Sequence, residues 1–475
     1  MLAGSTRPST LRLVFRREST ALRFRAHMRL ACVVAAFAAA GLSDSALHAD
    51  GLNDTGLTQC HDSANAVISC NVAPAADDGR YGRDAAATAG TLTKVGGGAA
   101  GFDFTKIANN GSDLPPQAAL GNGPTDWACT RDNVTGLTWE VKTTGPAGLR
   151  SHYHKYTWFN TNGAENGGNV GSPAVVTYSS CDGSLPACNT QAFIAAVNAS
   201  ALCGYTDWRL PTPRELRGIV NYGVGLAGSF DTSYFTPAAG PSPHYFTGST
   251  YAADAADVWL VEIGGEADGG GGGHHHSKGE EQYIVLVRGA QPDSPRGSCA
   301  AVNPKANVPE STPSADFIDH GNGTVTHVPT GLMWKRCVEG LSGETCATGT
   351  ASSITWSNAV AAAQGSTFAG FTDWRLPNVK ELHSIVETCG HDLAINQSIF
   401  PGTPSIAGGP VFWSATTSVA TPTDAWLVAF ERGGALPTSK TSRLYVRLVR
   451  AGDSLGSFDS QNPQTPRRRR RAVRK

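Results

Sequence analysis

The sequence predicts an α+β protein of two tandem modules, each made of two helices followed by an antiparallel β meander and held by disulfides. Three observations carry that expectation. A long motif occurs twice in the same order, the segments after it are short, β-branched and bounded by glycine turns, and the cysteines remaining after a leader are even in number. Composition agrees: of 475 residues only 16% are charged and 55 are glycine, which describes a loop-rich chain, while 40% hydrophobic residues and ten tryptophans exceed what a disordered chain carries. A chain of this length also divides into two or three cores.

From Met28 the chain reads MRLACVVAAFAAAGLSDSALHAD, an arginine, an apolar run from Leu30 to Leu42 and then small residues, which is the form of a secretory signal. Residues 1–49 are read as that signal, with Met28 as an alternative start because the arginine-rich residues before it add nothing to export. The run is shorter than the ~20 residues needed to span a bilayer and no later run exceeds it, so no transmembrane segment is expected. The expected location is secreted, cell-surface or periplasmic.

Removing Cys32 with the leader leaves ten cysteines: Cys60, Cys70, Cys129, Cys181, Cys188, Cys203, Cys299, Cys337, Cys346 and Cys389. None forms a Cys-x-x-Cys pair, so disulfides are favoured over thiolate metal sites. Proximity pairs Cys60 with Cys70, Cys181 with Cys188, and Cys337 with Cys346.

The repeat sets the architecture. TDWRLPTPRELRGIV from Thr206 and TDWRLPNVKELHSIV from Thr372 share ten of fifteen residues, and flanking motifs recur in order: TGLTW with TGLMW, YTWFN with ITWSN, ADVWLV with TDAWLV, YIVLVRGA with YVRLVRAG. Trp139/Trp334, Trp158/Trp356, Trp208/Trp374 and Trp259/Trp426 thus recur as core anchors. The resulting layout is an N-terminal extension over 50–126, module A over 127–290, a linker over 291–315, module B over 316–452 and a basic, disordered tail over 453–475.

Within each copy, Thr212 with Glu215 and Asn378 with Glu381 form capping boxes, and Leu216, Ile219 and Val220 match Leu382, Ile385 and Val386 at i, i+3, i+4 spacing, which predicts a helix with one apolar face. Residues 190–201 and 357–364 predict a preceding helix. WLVEI, YIVLVRG, AWLVAF and YVRLVR predict strands, and the spacing of Arg447 and Arg450 predicts at least one arginine facing solvent. Copy A is enlarged by insertions, including the Asn- and Gly-rich residues 160–171 and a glycine run ending in His274, His275 and His276, read as a mobile loop without a metal site.

The TGLTW/TGLMW, DWRLP-x-x-x-EL and LVRGA/LVRAG motifs resemble the Lcl C-terminal domain family, over about 300 residues. The resemblance implies an exported, surface-exposed module of the kind that binds sulfated glycosaminoglycans in an oligomeric adhesin, although this chain lacks a collagen tract. The RLPT-x-x-EL stretch is also similar to formylglycine-generating proteins, which implies a C-type-lectin-like fold for each module. Gln291-Pro292-Asp293 matches a galactose-type lectin motif but lies after the last strand of copy A without its partner motif, so it is discounted.

Candidate chemistry is sparse. The charged residues repeated in both copies include Asp207/Asp373 and Arg209/Arg375, which either face a ligand or fix turns beside a buried tryptophan, and Glu215/Glu381 belong to helix caps. No histidine recurs between copies and no nucleophile elbow, phosphate loop or zinc-protease motif occurs, so neither catalysis nor a cofactor or metal is expected. Exposed aromatic and polar residues on the meander loops are the candidate sugar contacts: Tyr234 and Tyr245 in copy A, Asn396, Trp413 and Thr416 in copy B. Phe246 and Phe412 are taken as a repeated core pair, with Trp413 peculiar to copy B.

The formal net charge of −1 conceals its parts. Without the leader and the C-terminal RRRRRAVRK, the body holds 24 basic against 37 acidic residues, a net of −13. A polyanion is therefore expected to meet Arg467, Arg468, Arg469, Arg470 and Arg471 rather than the modules. The expectation is an exported, non-catalytic, adhesin-like protein that binds a glycan or cell-surface ligand, with no nucleic acid partner and with oligomerisation left open. The alternatives are a formylglycine-generating-type or glycan-processing enzyme and a structural envelope protein with a protein partner.

Overall fold

The computed structural model describes residues 51–61, 65–70, 77–174, 180–225, 229–240, 243–264, 273–289, 308–390, 393–406 and 409–451. The signal region, residues 291–293, Cys299 and the basic tail lie outside the described residues.

Module A opens on an antiparallel sheet of β1 (Phe104–Ala108), β2 (Asp113–Leu114), β3 (Trp127–Asp132) and β4 (Thr138–Glu140). Helices α2 (Thr190–Ala199) and α3 (Pro213–Gly218) follow, then a second sheet of β5 (His244–Thr250), β6 (Asp257–Glu262) and β7 (Gly273–Ser277). Strand β8 (Val287–Arg288) returns to the first sheet, whose order is β8-β4-β3-β1-β2. Helix α1 (Gly82–Thr88) precedes the module.

Module B repeats the plan. Strands β9 (Phe317–Asp319), β10 (Thr324–His327) and β11 (Leu332–Lys335) precede α4 (Trp356–Gln364) and α5 (Val379–His383). Then β12 (Val411–Thr417), β13 (Asp424–Ala429) and β14 (Gly434–Ser439) form the second sheet, and β15 (Val449–Ala451) closes the first in the order β9-β10-β11-β15. Phe104 pairs with Asp132 as Phe317 pairs with His327, so the repeated sheet begins at β1, ahead of the first repeated sequence motif.

Both capping boxes form: Thr212 Oγ1 accepts from the Glu215 amide and Asn378 Oδ1 from the Glu381 amide, with each glutamate reaching back to the cap amide. Ahead of each box the chain turns through two left-handed residues, Cys203 and Gly204 at φ 53° and 80°, Ala369 and Gly370 at φ 52° and 80°. Glycine takes the second position without strain. That turn aims the next tryptophan inward, where Trp208 Nε1 donates to Leu202 O and Trp374 Nε1 to Phe368 O.

Each module has its own core, around Trp158 and Trp208 in one and Trp356 and Trp374 in the other. A third core is shared. Leu216 of α3 with Ile219 and Val220 just after it joins Leu382 of α5 with Ile385 and Val386 just after it, together with Trp139, Trp334, Trp426 and Leu52 of the N-terminal extension. Burial of each such aliphatic side chain stabilises by about 1.5–3 kcal/mol, so the seam between the modules is a core rather than a linker contact. Trp259 Nε1 donates across it to Thr388 O, and Tyr222 packs edge-on against Trp426.

Cys60–Cys70, Cys181–Cys188 and Cys337–Cys346 are bridged, and Cys129–Cys203 ties β3 to the turn before Trp208. Cys389 is also disulfide-bonded.

Three expectations change. Neither arginine of the YVRLVR segment faces solvent: Arg447, ahead of β15, is fully buried, donating to Arg336 O and Thr403 Oγ1 over Phe400, and Arg450 stacks on Phe371 while pairing with Asp373. The histidine run is not a loop but strand β7, because its extended backbone pairs with Asp257–Val261 of β6. Finally, strand register matches Tyr245 with Phe412 and Phe246 with Trp413, since Phe246 lies opposite Leu260 and Trp413 opposite Leu427. Trp413 therefore occupies a position common to both copies.

Candidate functional site: the cavity at the module seam

The charges repeated in both copies are spent on two repeated ion pairs. Arg209 meets Glu215 through both nitrogens at 2.8 and 2.7 Å, and Arg375 meets Glu381 at 2.7 and 2.6 Å. Asp207 receives Arg288 and Asp373 receives Arg450, clamping the turn before each helix to the last strand. The aspartates thus hold distant segments together instead of folding a local turn.

Most of the sequence candidates are interior. Trp413 is wholly buried and its Nε1 donates to Ile354 O, so it presents no face for a sugar ring. Tyr245 is buried, with its hydroxyl accepting from the Ala238 amide, and buried Tyr234 packs against Phe104. They are expected on exposed meander loops, but Tyr245 and Trp413 lie on the bulged strands β5 and β12, which turn these rings inward. Asn396 is half-buried and caps its own turn while donating to Thr312 O and Ser314 Oγ. His275 stacks on Tyr251 and pairs with Asp257, and His276 pairs with Glu280.

Thr416 does bind a carboxylate, but one from this chain. Its hydroxyl donates to Asp78 Oδ2 at 2.7 Å, and Thr55 donates to the same oxygen at 2.8 Å. Asn378 Nδ2 donates to Asp54 Oδ1, Lys380 Nζ donates to Asp54 O, and the Arg375 guanidinium lies 5.4 Å from the Tyr81 ring. Residues of the N-terminal extension therefore cover the DWRLP face of module B, where every residue from Trp374 to Gly390 is buried. Burial, then repulsion from neighbouring acids set against the Thr416 hydrogen bond, raises Asp78 to about 7, while burial lowers Lys380 to about 7. Sequence reading missed this cap; the clustered aspartates in NDTG and DDGRYGRD were its only trace.

Among the described residues the same face on module A is open and lines a cavity of about 540 Å³ at the seam. Its floor carries Arg209, Thr212, Arg214 and Ser249, the counterparts of Arg375, Asn378, Lys380 and Thr416. Arg209 and Glu215 retain 23% and 17% of their side-chain exposure, against 4% and 0% for Arg375 and Glu381. From module B, His383 reaches the cavity wall; it is 4% exposed and neither ring nitrogen has a hydrogen-bond partner among the described residues. Burial and the nearby Arg217 hold it well below the usual histidine range, so the ring is neutral and offers one donor and one acceptor. The rim is built by the copy A insertion, with Asn160, Thr161 and Asn162 beside Phe159 and Gln191. A volume of this size suits a small ligand or a short segment of a larger one.

No curated protein matches the chain. The family model described as the Lcl C-terminal domain matches twice, over residues 128–288 and 323–450, which together make well over half of the chain and coincide with the two modules. The protein belongs to the Lcl C-terminal domain family, carrying two copies of that domain in tandem.

Proposed function

We propose that this is an exported, non-catalytic, adhesin-like binding protein whose ligand, a glycan or another cell-surface component, enters the seam cavity of module A. One observation carries the reading: the matching faces of the two modules differ in that one is capped by the chain itself and the other lines an open cavity. The rim of amide and hydroxyl side chains around Phe159 has the mixed polar and aromatic character that sugar rings use. Family membership supports a surface-binding role, and the disulfides suit an oxidising compartment outside the cytoplasm. The non-catalytic part of the proposal rests on the repeated charges, which are engaged in structural pairs. The C-type-lectin-like assignment of each module belongs to the same proposal and is supported by two helices lying between the opening strands and an antiparallel meander, with the last strand returning to the opening sheet.

A glycan array probed with the full exported chain tests this. Binding to at least one polysaccharide that falls in Phe159→Ala and Gln191→Ala variants is expected; the absence of binding to every neutral and sulfated glycan overturns the glycan reading.

A further inference from the structure

The covered face of module B shows what kind of group this surface takes. Its occupant is a polypeptide: a carboxylate on the Thr416 hydroxyl, a main-chain carbonyl on Lys380 and an aromatic ring beside the Arg375 guanidinium. Asp78 and Tyr81 supply the carboxylate and the ring from one short stretch, three residues apart. At the matching positions module A keeps the same chemistry in every case. Ser249 supplies a hydroxyl for Thr416, Arg214 a cation for Lys380, and Arg209 the same guanidinium held by the same glutamate, all on the floor of the open cavity. Thr212 uses its oxygen to cap the Glu215 amide, as Asn378 caps Glu381. On the facing wall His383 adds a buried donor and acceptor that have no hydrogen-bond partner among the described residues.

We propose that the open face of module A docks an acidic peptide segment of a partner protein, placing a carboxylate on Ser249 and an aromatic ring on Arg209, in the way residues 77–84 of this chain sit on module B. This rests on the reading of the seam cavity as a ligand site and names the ligand's chemistry. A polypeptide is favoured over a polysaccharide because the group seated on the matching face is itself polypeptide, contributing a main-chain carbonyl as well as side chains. The two modules then have different tasks: module B uses its face to fasten the N-terminal extension, and module A presents the same face outward.

The probe is a fluorescein-labelled peptide of residues 77–84, DDGRYGRD, titrated with the full chain and followed by anisotropy. Saturable binding is expected. It should weaken about tenfold in Ser249→Ala, which removes the hydroxyl that meets the carboxylate, persist in Ser249→Thr, which reproduces the module B residue, and vanish for a peptide carrying Asp78→Ala and Tyr81→Ala. No saturable binding, or binding unchanged in Ser249→Ala, overturns the proposal. So does binding lost only in Thr416→Ala, which would place the peptide on module B. A glycan signal that depends on Phe159 in a chain that ignores the peptide overturns the peptide proposal alone, whereas failure of both probes removes the cavity as a ligand site.

Discussion

Arg375 and Glu381 form a two-contact ion pair in which the arginine side chain is 4% exposed and the glutamate side chain fully buried, while Arg209 and Glu215 keep the same geometry in a cavity open to solvent. Removing one partner of a buried pair leaves an uncompensated charge and costs about 3–5 kcal/mol. The glutamate also closes the capping box, worth about 1 kcal/mol more. Glu381→Ala is therefore expected to destabilise strongly and Glu215→Ala about half as much or less, read by urea denaturation. Equal losses would show that the two environments do not differ. Burial pushes the Glu215 carboxyl up, yet Arg209 and the Thr212 amide outweigh it and leave it below its ordinary 4.5. The stability Glu215 contributes is then present above that pH and lost as pH falls below it, a loss Glu215→Gln should not show.

Asp78 behaves in the opposite sense. Burial raises it from 3.8 to about 7 in the folded chain, so the folded state holds an extra proton between those values. The stability from this group is full below pH 3.8 and is lost as pH rises through 7. Asp78→Asn, which keeps an acceptor for Thr416, should gain on the unmodified chain between pH 4 and 7, by at most about 4 kcal/mol. Parallel melting curves for the two proteins across that range would contradict it.

The bridges differ in the loops they close. Cys129–Cys203 spans 74 residues and Cys181–Cys188 only 7. Loop-closure entropy assigns about 4.4 kcal/mol to the first and about 2.4 kcal/mol to the second. The double alanine variant of the long bridge should lower Tm more than that of the short one; the reverse order would mean that local packing, rather than chain entropy, controls the effect.

Trp413 is a core residue, and Trp413→Ala is expected to cost about 3–5 kcal/mol while leaving the glycan profile of the surviving folded fraction unchanged. A selective loss of one glycan without a fall in Tm would return this indole to the ligand site.

Heparin retention is expected to reside in the arginines of the C-terminal end. Deleting residues 467–475 removes seven cations from a body whose net charge is −13, so elution should shift to much lower salt. Unchanged elution would place the polyanion contact on the modules.

Local signals in the sequence carried much of the fold. The capping boxes at Thr212 and Asn378 and the close-spaced cysteine pairs depend on residues near one another, and the structure shows each of them; the apolar sets at 216, 219 and 220 and at 382, 385 and 386 are buried as expected, although each helix ends before the last two residues of its set. The candidate site was legible only as the repeated DWRLP segment. Arg447 illustrates the limit: alternation along a strand predicts an outward arginine, yet Phe400, Phe412 and the Arg336 carbonyl receive it inside.

The sequence by itself determined that the protein is two copies of one disulfide-bearing module, because repeated motifs and capping chemistry are written in neighbouring residues. Which copy is closed and which is open was decided only by the tertiary structure. Asp54 and Asp78 reach Asn378 and Thr416 from more than 300 positions away, and a contact at that separation is set by how the shared core at the seam brings the segments together, not by any local pattern.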